Sequence, residues 1–447
     1  MPEVNCPKCS SKMGVDWRRN NTLTHFFYSC PSCDLESQIE VEDFLEKKIQ
    51  EILGIKSEKL DESIKKGNTK FFISMGIPTL LFKKETGKLE SGTVIYLSDE
   101  IEVIRGFPKI RRTLLLGPAL KNHFQDLIAV EEKMNGYNVR IARINCSDIS
   151  TGTCKNPENV NDCSKANEST NEFTKHHKIV ALTRGGYICP FTTKKAQELM
   201  NLDDFFENNP NLVICGEMVG TDNPYVSQYY PEIGKLAFRV FDIRHKLSNE
   251  PLSIDAKRKL LKQYNLPAVR LFGVFSADDA HEKILELIKE IGLEHREGVV
   301  MKHPSMQIPP LKYTSSQAHD REIKYAFNFP FDFGRAFFFS RVIREGFQAY
   351  EMDDSPEELQ KRAQRLGESI IYPMMDIIKQ INNGEPAVED TTINVDSRKE
   401  AEEFVRHLHD LGVSAMLIDY KDGNAVIRRM YNSTTDKIKN YLNGGLY

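Results

Sequence analysis

Lys133 lies in Val130-Glu131-Glu132-Lys133-Met134-Asn135-Gly136-Tyr137-Asn138, where an apolar run gives way to an Asn-Gly turn pair and strand-like alternation resumes to Ile144. That pattern predicts an amine at the lip of a sheet, with no bulky neighbour at Gly136. Such an amine can act as a covalent nucleophile if its surroundings let it shed a proton. An ordinary lysine, with a pKa near 10.4, is neutral in under about one part in a thousand at pH 7. A Lys-x-Asn-Gly string is weak evidence by itself, so the rest of the chain must supply partners.

Those partners follow in order. Thr183-Arg184-Gly185-Gly186 comes first, then Ile214-Cys215-Gly216-Glu217-Met218-Val219-Gly220 and Phe238-Arg239-Val240-Phe241-Asp242-Ile243. Arg296-Glu297-Gly298-Val299-Val300-Met301-Lys302 and Pro310-Leu311-Lys312-Tyr313 complete the series. Glu217 and Glu297 are hard oxygen donors of the kind that suit Mg²⁺ or Mn²⁺. A second chemistry stands at the N-terminus. Cys6-Pro-Lys-Cys9 and Cys30-Pro-Ser-Cys33 are two knuckles whose four thiolates predict a closed structural Zn²⁺ site. Trp17, Arg18, Arg19, His25, Phe26, Phe27 and Tyr28 lie between them, as a single-stranded RNA surface or as the ribbon's own filling. Cys146, Cys154 and Cys163 fall in a polar stretch, 146–177, that ends in His176-His177. A second metal site is the alternative there, but the spacing lacks paired knuckles and the stretch reads as an inserted mobile loop. Cys189 and Cys215 read as core residues.

The chain has 447 residues, too many for one core, with 40% hydrophobic residues and a net charge of −4. That charge leaves nucleic-acid binding to local tracks, for which Arg105, Lys109, Arg111, Arg112 and Lys175, Lys178, Arg184, Lys194, Lys195 are candidates. No stretch reaches the apolar length of a membrane span and no signal peptide is evident, so a cytoplasmic protein is expected.

The ordered motifs resemble those of the covalent nucleotidyltransferases, the superfamily of DNA ligases, RNA ligases and mRNA capping enzymes. The match is most similar to the archaeal homodimeric ATP-dependent RNA ligases. It runs from about residue 70 to the C-terminus, taking in Arg105-Gly-Phe-Pro-Lys-Ile-Arg-Arg112 and Tyr431-Asn-Ser-Thr-Thr-Asp436. The resemblance implies ATP as substrate, with Lys133 as the catalytic nucleophile, and joining of single-stranded RNA ends bearing 5′-phosphate and 3′-hydroxyl, circularisation included. A lysyl-AMP and an RNA-adenylate would be the intermediates. Lys312 and Lys302 would neutralise the α-phosphate. Glu297 would be the stronger metal ligand, and Glu217 would touch ribose or metal. Phe241 would stack on adenine, Asp242 would be structural or ribose-proximal, and Glu132 would accept from the adenine amino group. Arg184 and Asn138 would grip ribose and RNA ends. Two departures stand out. Asn135 replaces the aspartate common in relatives, and Lys312 stands alone where many show two lysines, leaving the second contact to Lys302 or to nothing.

The expected fold is α+β, with an antiparallel-sheet nucleotidyltransferase core (an ATP-grasp-like ligase) flanked by smaller modules. A zinc ribbon is expected over 1–40, a helical linker and β module over 41–120, and the adenylylation domain over 121–320. A helical dimerisation module would occupy 321–383, where seven phenylalanines crowd 327–339, and a small α/β domain 384–447. Periodicity places a helix at Asp278–Ile291 stopped by Gly292, and another from Ser355, an N-cap with Glu358 at capping-box spacing. The tail reads as strand (392–395), helix (398–411), a hairpin at Tyr420-Lys-Asp-Gly-Asn and a helix from Asp436. DNA ligases and guanylyltransferases follow the last motif with a β-barrel, and helices follow here. A non-catalytic zinc-ribbon RNA-binding protein is the rival of another class, and the intact Lys133, Glu217, Glu297, Lys312 set argues against it.

Overall fold

The computed structural model describes the backbone of residues 14–20, 22–29 and 36–40, and then residues 50–75, 77–97, 101–146, 176–315 and 331–446. The first forty residues contain β1 (Gly14–Asn20), β2 (Thr22–Ser29) and β3 (Glu36–Glu40), an antiparallel sheet in that order. Cys6, Cys9, Cys30 and Cys33 lie outside the described residues, as does most of the 146–177 insert.

Helix α1 (Ser57–Lys65) then packs on a four-stranded antiparallel meander of β4 (Thr69–Ser74), β5 (Ile77–Phe82), β6 (Thr93–Leu97) and β7 (Ile101–Ile104). Leu60 and Ile64 of α1 bury their side chains against Leu80, Phe82 and Ile95. Apolar alternation broken by Gly turns thus folds here as a meander.

The central unit consists of two sheets. One contains β8 (Arg111–Arg112), which leads into α2 (Leu116–His123), and β9 (Leu127–Lys133). The other is built on β10 (Tyr137–Cys146) and β11 (His176–Thr183), with α3 (Pro190–Leu199) and α4 (Leu202–Asn208) following. Next come β12 (Leu212–Val219), β13 (Ala237–His245), α5 (Ile254–Gln263), β14 (Leu271–Ser276), α6 (Ala280–Leu293), β15 (Gly298–Lys302) and β16 (Leu311–Thr314). Strand orders are β11-β10-β12-β13, all antiparallel, and β14-β9-β15-β16-β8, antiparallel except for the β16–β8 pair. Because β9 belongs to one sheet and β10 to the other, the Met134–Gly136 turn is the crossing point between them. Burial on both faces of β9 and β12 explains their near-continuous apolar runs.

Helix α6 corrects one expectation. It runs through Gly292 to Leu293, and the left-handed residue that follows is His295, φ 56°. Gly292 is buried, so its small size serves packing rather than termination.

Two long helices follow, α7 (Phe331–Glu351) and α8 (Pro356–Asn382). Ser355 and Glu358 form the reciprocal capping box expected at the start of α8. The C-terminal unit is β17 (Val388–Asn394), α9 (Arg398–Asp410), β18 (Ala415–Lys421), β19 (Asn424–Met430) and α10 (Asn432–Leu442), with sheet order β17-β19-β18. Phe404 and Leu408 of α9 pack with Cys189 and Phe191 at the start of α3, which docks this unit on the central one. Helix α10 starts four residues before Asp436, and Tyr431 at its N-cap makes no side-chain cap bond. Among the described residues no helix is long and apolar enough to cross a membrane.

Candidate active site

Strand alternation decides which residues face the space between the sheets. On β9, Ile128 and Val130 point into the core beneath α2 and α6, so Glu131 and Lys133 point the other way, into a cavity of about 130 Å³. Its walls come from segments spread along the chain: Phe107, Pro108 and Ile110; Glu131–Met134; Asn138; Arg184; Glu217; Phe241; Val269; Val300 and Lys302; and Lys312. Residues more than two hundred positions apart thus converge on one lysine.

The turn that carries Lys133 tolerates no side chain at Gly136, where a Cβ would stand 2.2 Å from the Met218 carbonyl oxygen. The Asn135 amide donates to the buried Tyr230 hydroxyl at 2.7 Å. Asn135 therefore fixes the turn through its backbone, which asks for no charge on its side chain. The Lys133 ammonium donates to the Glu297 carboxylate, which pairing of β9 with β15 brings alongside.

Glu217 and Asn138 face each other across β10 and β12. Burial pushes Glu217 up to about 8; Lys133 opposes this and Glu297 adds to it. Asn138 Oδ1 is buried without a hydrogen-bond partner among the described residues. A raised acid and an orphaned acceptor in one cavity fit a cation and a polar ligand. Burial together with Lys133 and Arg112 pushes Lys312 down to about 8, which marks a rim crowded with positive charge. Arg184 is exposed at that rim and forms no ion pair with Glu217.

Lys302 and Glu132 stand differently from the expectation. Lys302 is 2% exposed, and its Nζ donates to Glu131 at 2.8 Å, the Phe241 carbonyl at 2.8 Å and Asp242 at 2.9 Å. All three protons are engaged, so it has none left for a phosphate. Burial alone would lower this lysine, but Asp242 and Glu131 hold it above the ordinary value. Glu132 borders the cavity, yet its carboxylate is held by Arg296 at 2.7 Å, and Arg296 also binds Glu232 at 2.9 and 3.0 Å.

Two further residues, Glu131 and Lys257, join the site without a motif of their own. Lys257 donates to Glu131 at 2.6 Å and to the Phe241 carbonyl at 2.7 Å, completing a buried cluster with Lys302 and Asp242. Burial and Lys302 push Lys257 down to about 8. The cluster clamps the backbone of Phe241, whose ring borders the cavity and meets Phe107 edge-on at 5.1 Å. Glu131 shares the face of Lys133 by its two-residue spacing, a legible signal. Lys257 had none, because it reads as the polar side of an amphipathic helix.

The basic tracks also divide. Arg105 binds Glu90 at 2.9 Å, Lys194 binds Glu400 at 2.7 Å, and Lys195 binds Glu198 at 2.8 Å. Lys109, Arg111 and Lys178 remain exposed without an ion pair among the described residues, and Lys175 lies outside them. Cys189 and Cys215 are buried core residues. No group of three or more acidic, histidine or cysteine side chains that could hold a metal occurs among the described residues.

Two facing antiparallel sheets with a lysine at their crossing point define a nucleotidyltransferase-like ligase fold. Comparison with known proteins narrows the class. A model of the RNA ligase family matches residues 126–314, and a model of the ligase Pab1020 C-terminal region matches 325–445. Two solved structures named archaeal ATP-dependent RNA ligase, form 2 and form 1, are 58% and 57% identical to this chain. Each covers 90% of this chain and 99% of its own, with TM-scores of 0.80 and 0.79. An uncharacterized protein of Methanocaldococcus jannaschii, MJ0414, is 39% identical over 88% of this chain and 96% of its own. The chain belongs to the archaeal ATP-dependent RNA ligase family and is an ATP-dependent RNA ligase.

Proposed function

We propose that this ligase joins a 5′-phosphate to a 3′-hydroxyl on single-stranded RNA, the two ends of one strand included, through three transfers. First, the neutral amine of Lys133 attacks the ATP α-phosphorus. The bond to the bridging oxygen breaks and pyrophosphate leaves, giving a lysyl phosphoramidate. The AMP then passes to the RNA 5′-phosphate, freeing Lys133. Finally the 3′-hydroxyl attacks that phosphate, and AMP departs. The observation that best supports this reading is the Lys133–Glu297 contact at a cavity bordered by Arg184, Glu217 and Lys312.

Lys312 and Arg184 would hold phosphate charge, Asn138 and Arg184 would grip ribose and RNA ends, and Phe241 would stack on adenine. Lys302 would act on the nucleotide indirectly, by holding Phe241 through the buried cluster. Glu132 would brace the turn through Arg296. Glu217 and Glu297 fit one hard divalent cation, Mg²⁺ or Mn²⁺, completed by phosphate oxygens; when bound it would neutralise charge at the α-phosphate. Lys133→Ala should abolish covalent labelling by radioactive ATP, and Glu297→Ala should weaken it by at least about 10²-fold. Retained labelling in the first variant would overturn the assignment of the nucleophile.

Two features of the assembly belong to the same proposal. Helix α7 exposes Phe339, Val342, Phe347 and Tyr350, and α8 exposes Ile371, Tyr372 and Met375, a surface more apolar than a monomer needs, which supports a homodimer. The β1–β3 hairpins, preceded by Cys6 and Cys9 and interrupted by Cys30 and Cys33, support a zinc ribbon.

A further inference from the structure

Building on the reading of the chain as a sealer of single-stranded RNA, we propose that Phe72, Tyr187 and Lys70 form a platform for an RNA-end nucleotide just outside the nucleotide cavity. Phe72 comes from β4 of the β module, and Tyr187 follows Arg184-Gly185-Gly186. The two rings are 5.6 Å apart and tilted by 32°. Lys70 Nζ lies 5.7 Å from the Phe72 ring centre and 5.1 Å from that of Tyr187, and it donates to the Tyr187 hydroxyl at 3.3 Å. Among the described residues no carboxylate pairs with this ammonium. A purely structural aromatic pair has no need of an unneutralised cation over both rings.

The platform is continuous with the cavity. Phe72, Tyr187, Ile110 and Phe241 are all half-buried on the same apolar cluster, and Ile110 and Phe241 border the cavity itself. Arg184, also on the rim, stands three residues before Tyr187. Its turn is closed by Thr183 N–H donating to the Tyr187 carbonyl at 2.8 Å.

The platform is also held from both sides, although Phe72 comes from a strand of the β module and Tyr187 from the turn that follows β11. Gly186 has φ 89°, and a Cβ there would lie 2.5 Å from Leu81 and 2.8 Å from the Gly92 carbonyl, so the turn is pressed onto the β module. The buried Arg140 crosses the same seam, donating to the Gly92 carbonyl at 2.9 Å and the Thr183 carbonyl at 3.1 Å. Charge is distributed to match. Lys109, Arg111 and Arg184 are exposed and without ion pairs among the described residues, whereas Arg105, Lys194 and Lys195 are neutralised by acids. Aromatic rings with adjacent cations bind single strands by stacking a base and neutralising its phosphate, with little regard to sequence. In the proposed function Phe241 and Lys312 take the adenine and a phosphate of ATP, so the ligand left for a stacking surface beside them is the strand end.

The test is equilibrium binding of a fluorescent, 5′-phosphorylated single-stranded RNA to the full chain, followed by anisotropy and independent of any joining. The RNA is supplied intact, with an abasic 5′-terminal nucleotide, or with an abasic 3′-terminal nucleotide. For the wild type, the missing base at one end should weaken binding about tenfold. The Phe72→Leu/Tyr187→Leu variant should bind intact RNA about tenfold more weakly and show no further loss with that abasic strand. Lys70→Gln should lessen the salt dependence by roughly 0.7 in the log–log slope. The proposal is overturned if neither abasic end matters, or if the double variant loses as much from the missing base as the wild type. Should the double variant fail to fold, Lys70→Gln decides, and an unchanged salt slope overturns the proposal. Failure of the wild type to join RNA it binds would count against the proposed function and leave the platform standing.

Discussion

At the level of single side chains, the site is a device for presenting one amine and crowding charge around it. Lys133, Arg184, Glu217, Glu297 and Lys312 were legible because each sits in a short string whose order along the chain is itself informative. Their roles were less legible. Lys302 reads as a phosphate ligand until its three donors are found on Glu131, Phe241 and Asp242. Glu131→Ala would leave the buried Lys257 and Lys302 without a shared counter-ion. It should destabilise the protein by about 3–5 kcal/mol, measured by denaturant unfolding. A variant as stable as the wild type would show that the cluster is not the brace described. Lys257 could not be found in sequence, because a lysine on an amphipathic helix is ordinarily solvated and only tertiary packing reverses that.

Secondary-structure elements were read best where local chemistry fixes an end. Ser355 and Glu358 announce the start of α8, whereas α10 begins at Asn432 after Tyr431, which makes no side-chain cap bond to reveal it. Gly292 misled because a glycine in a helix can serve packing as well as termination. One link between elements was invisible. Glu351, at the end of α7, accepts from the amides of Leu116 and Gly117 at the first turn of α2, and from the Tyr313 hydroxyl at 3.0 Å. It ties the long helices to the strand that carries Lys312. Removing its carboxylate in Glu351→Ala should cost about 1–3 kcal/mol and lower Tm, since two amides and a hydroxyl lose their acceptor. A Tm unchanged from the wild type would contradict the link.

Across the whole molecule, the C-terminal unit and the long helices pack against the central sheets. His407 of α9 is buried against Tyr225, 3.1 Å from its hydroxyl, and burial pushes it down from 6.5 to about 4. A base with a depressed native pKa binds fewer protons folded than unfolded, so its contribution is complete above about pH 6.5 and fades as pH falls toward 4. Unfolding from pH 7.5 to pH 5 should lose about 2 kcal/mol through this residue, and His407→Gln should flatten that slope. The apolar face of α7 and α8 predicts that Phe347→Glu with Tyr350→Glu converts a dimer to a monomer by light scattering. A wild type that is already monomeric would refute the seam. The phenylalanine-rich segment suggested this face, but sequence alone could not separate exposure from burial; the exposed Phe339, Phe347 and Tyr350 do so.

The proposed ligation depends on a covalent bond between adenylate and the Lys133 side chain. The direct measurement is intact mass of the purified chain after incubation with ATP and a divalent cation, with peptide mapping of the adduct. The mass of one adenylate, mapped to Lys133 and discharged on addition of 5′-phosphorylated RNA, is the predicted result. No added mass with either Mg²⁺ or Mn²⁺, or an adduct on another residue, would contradict it.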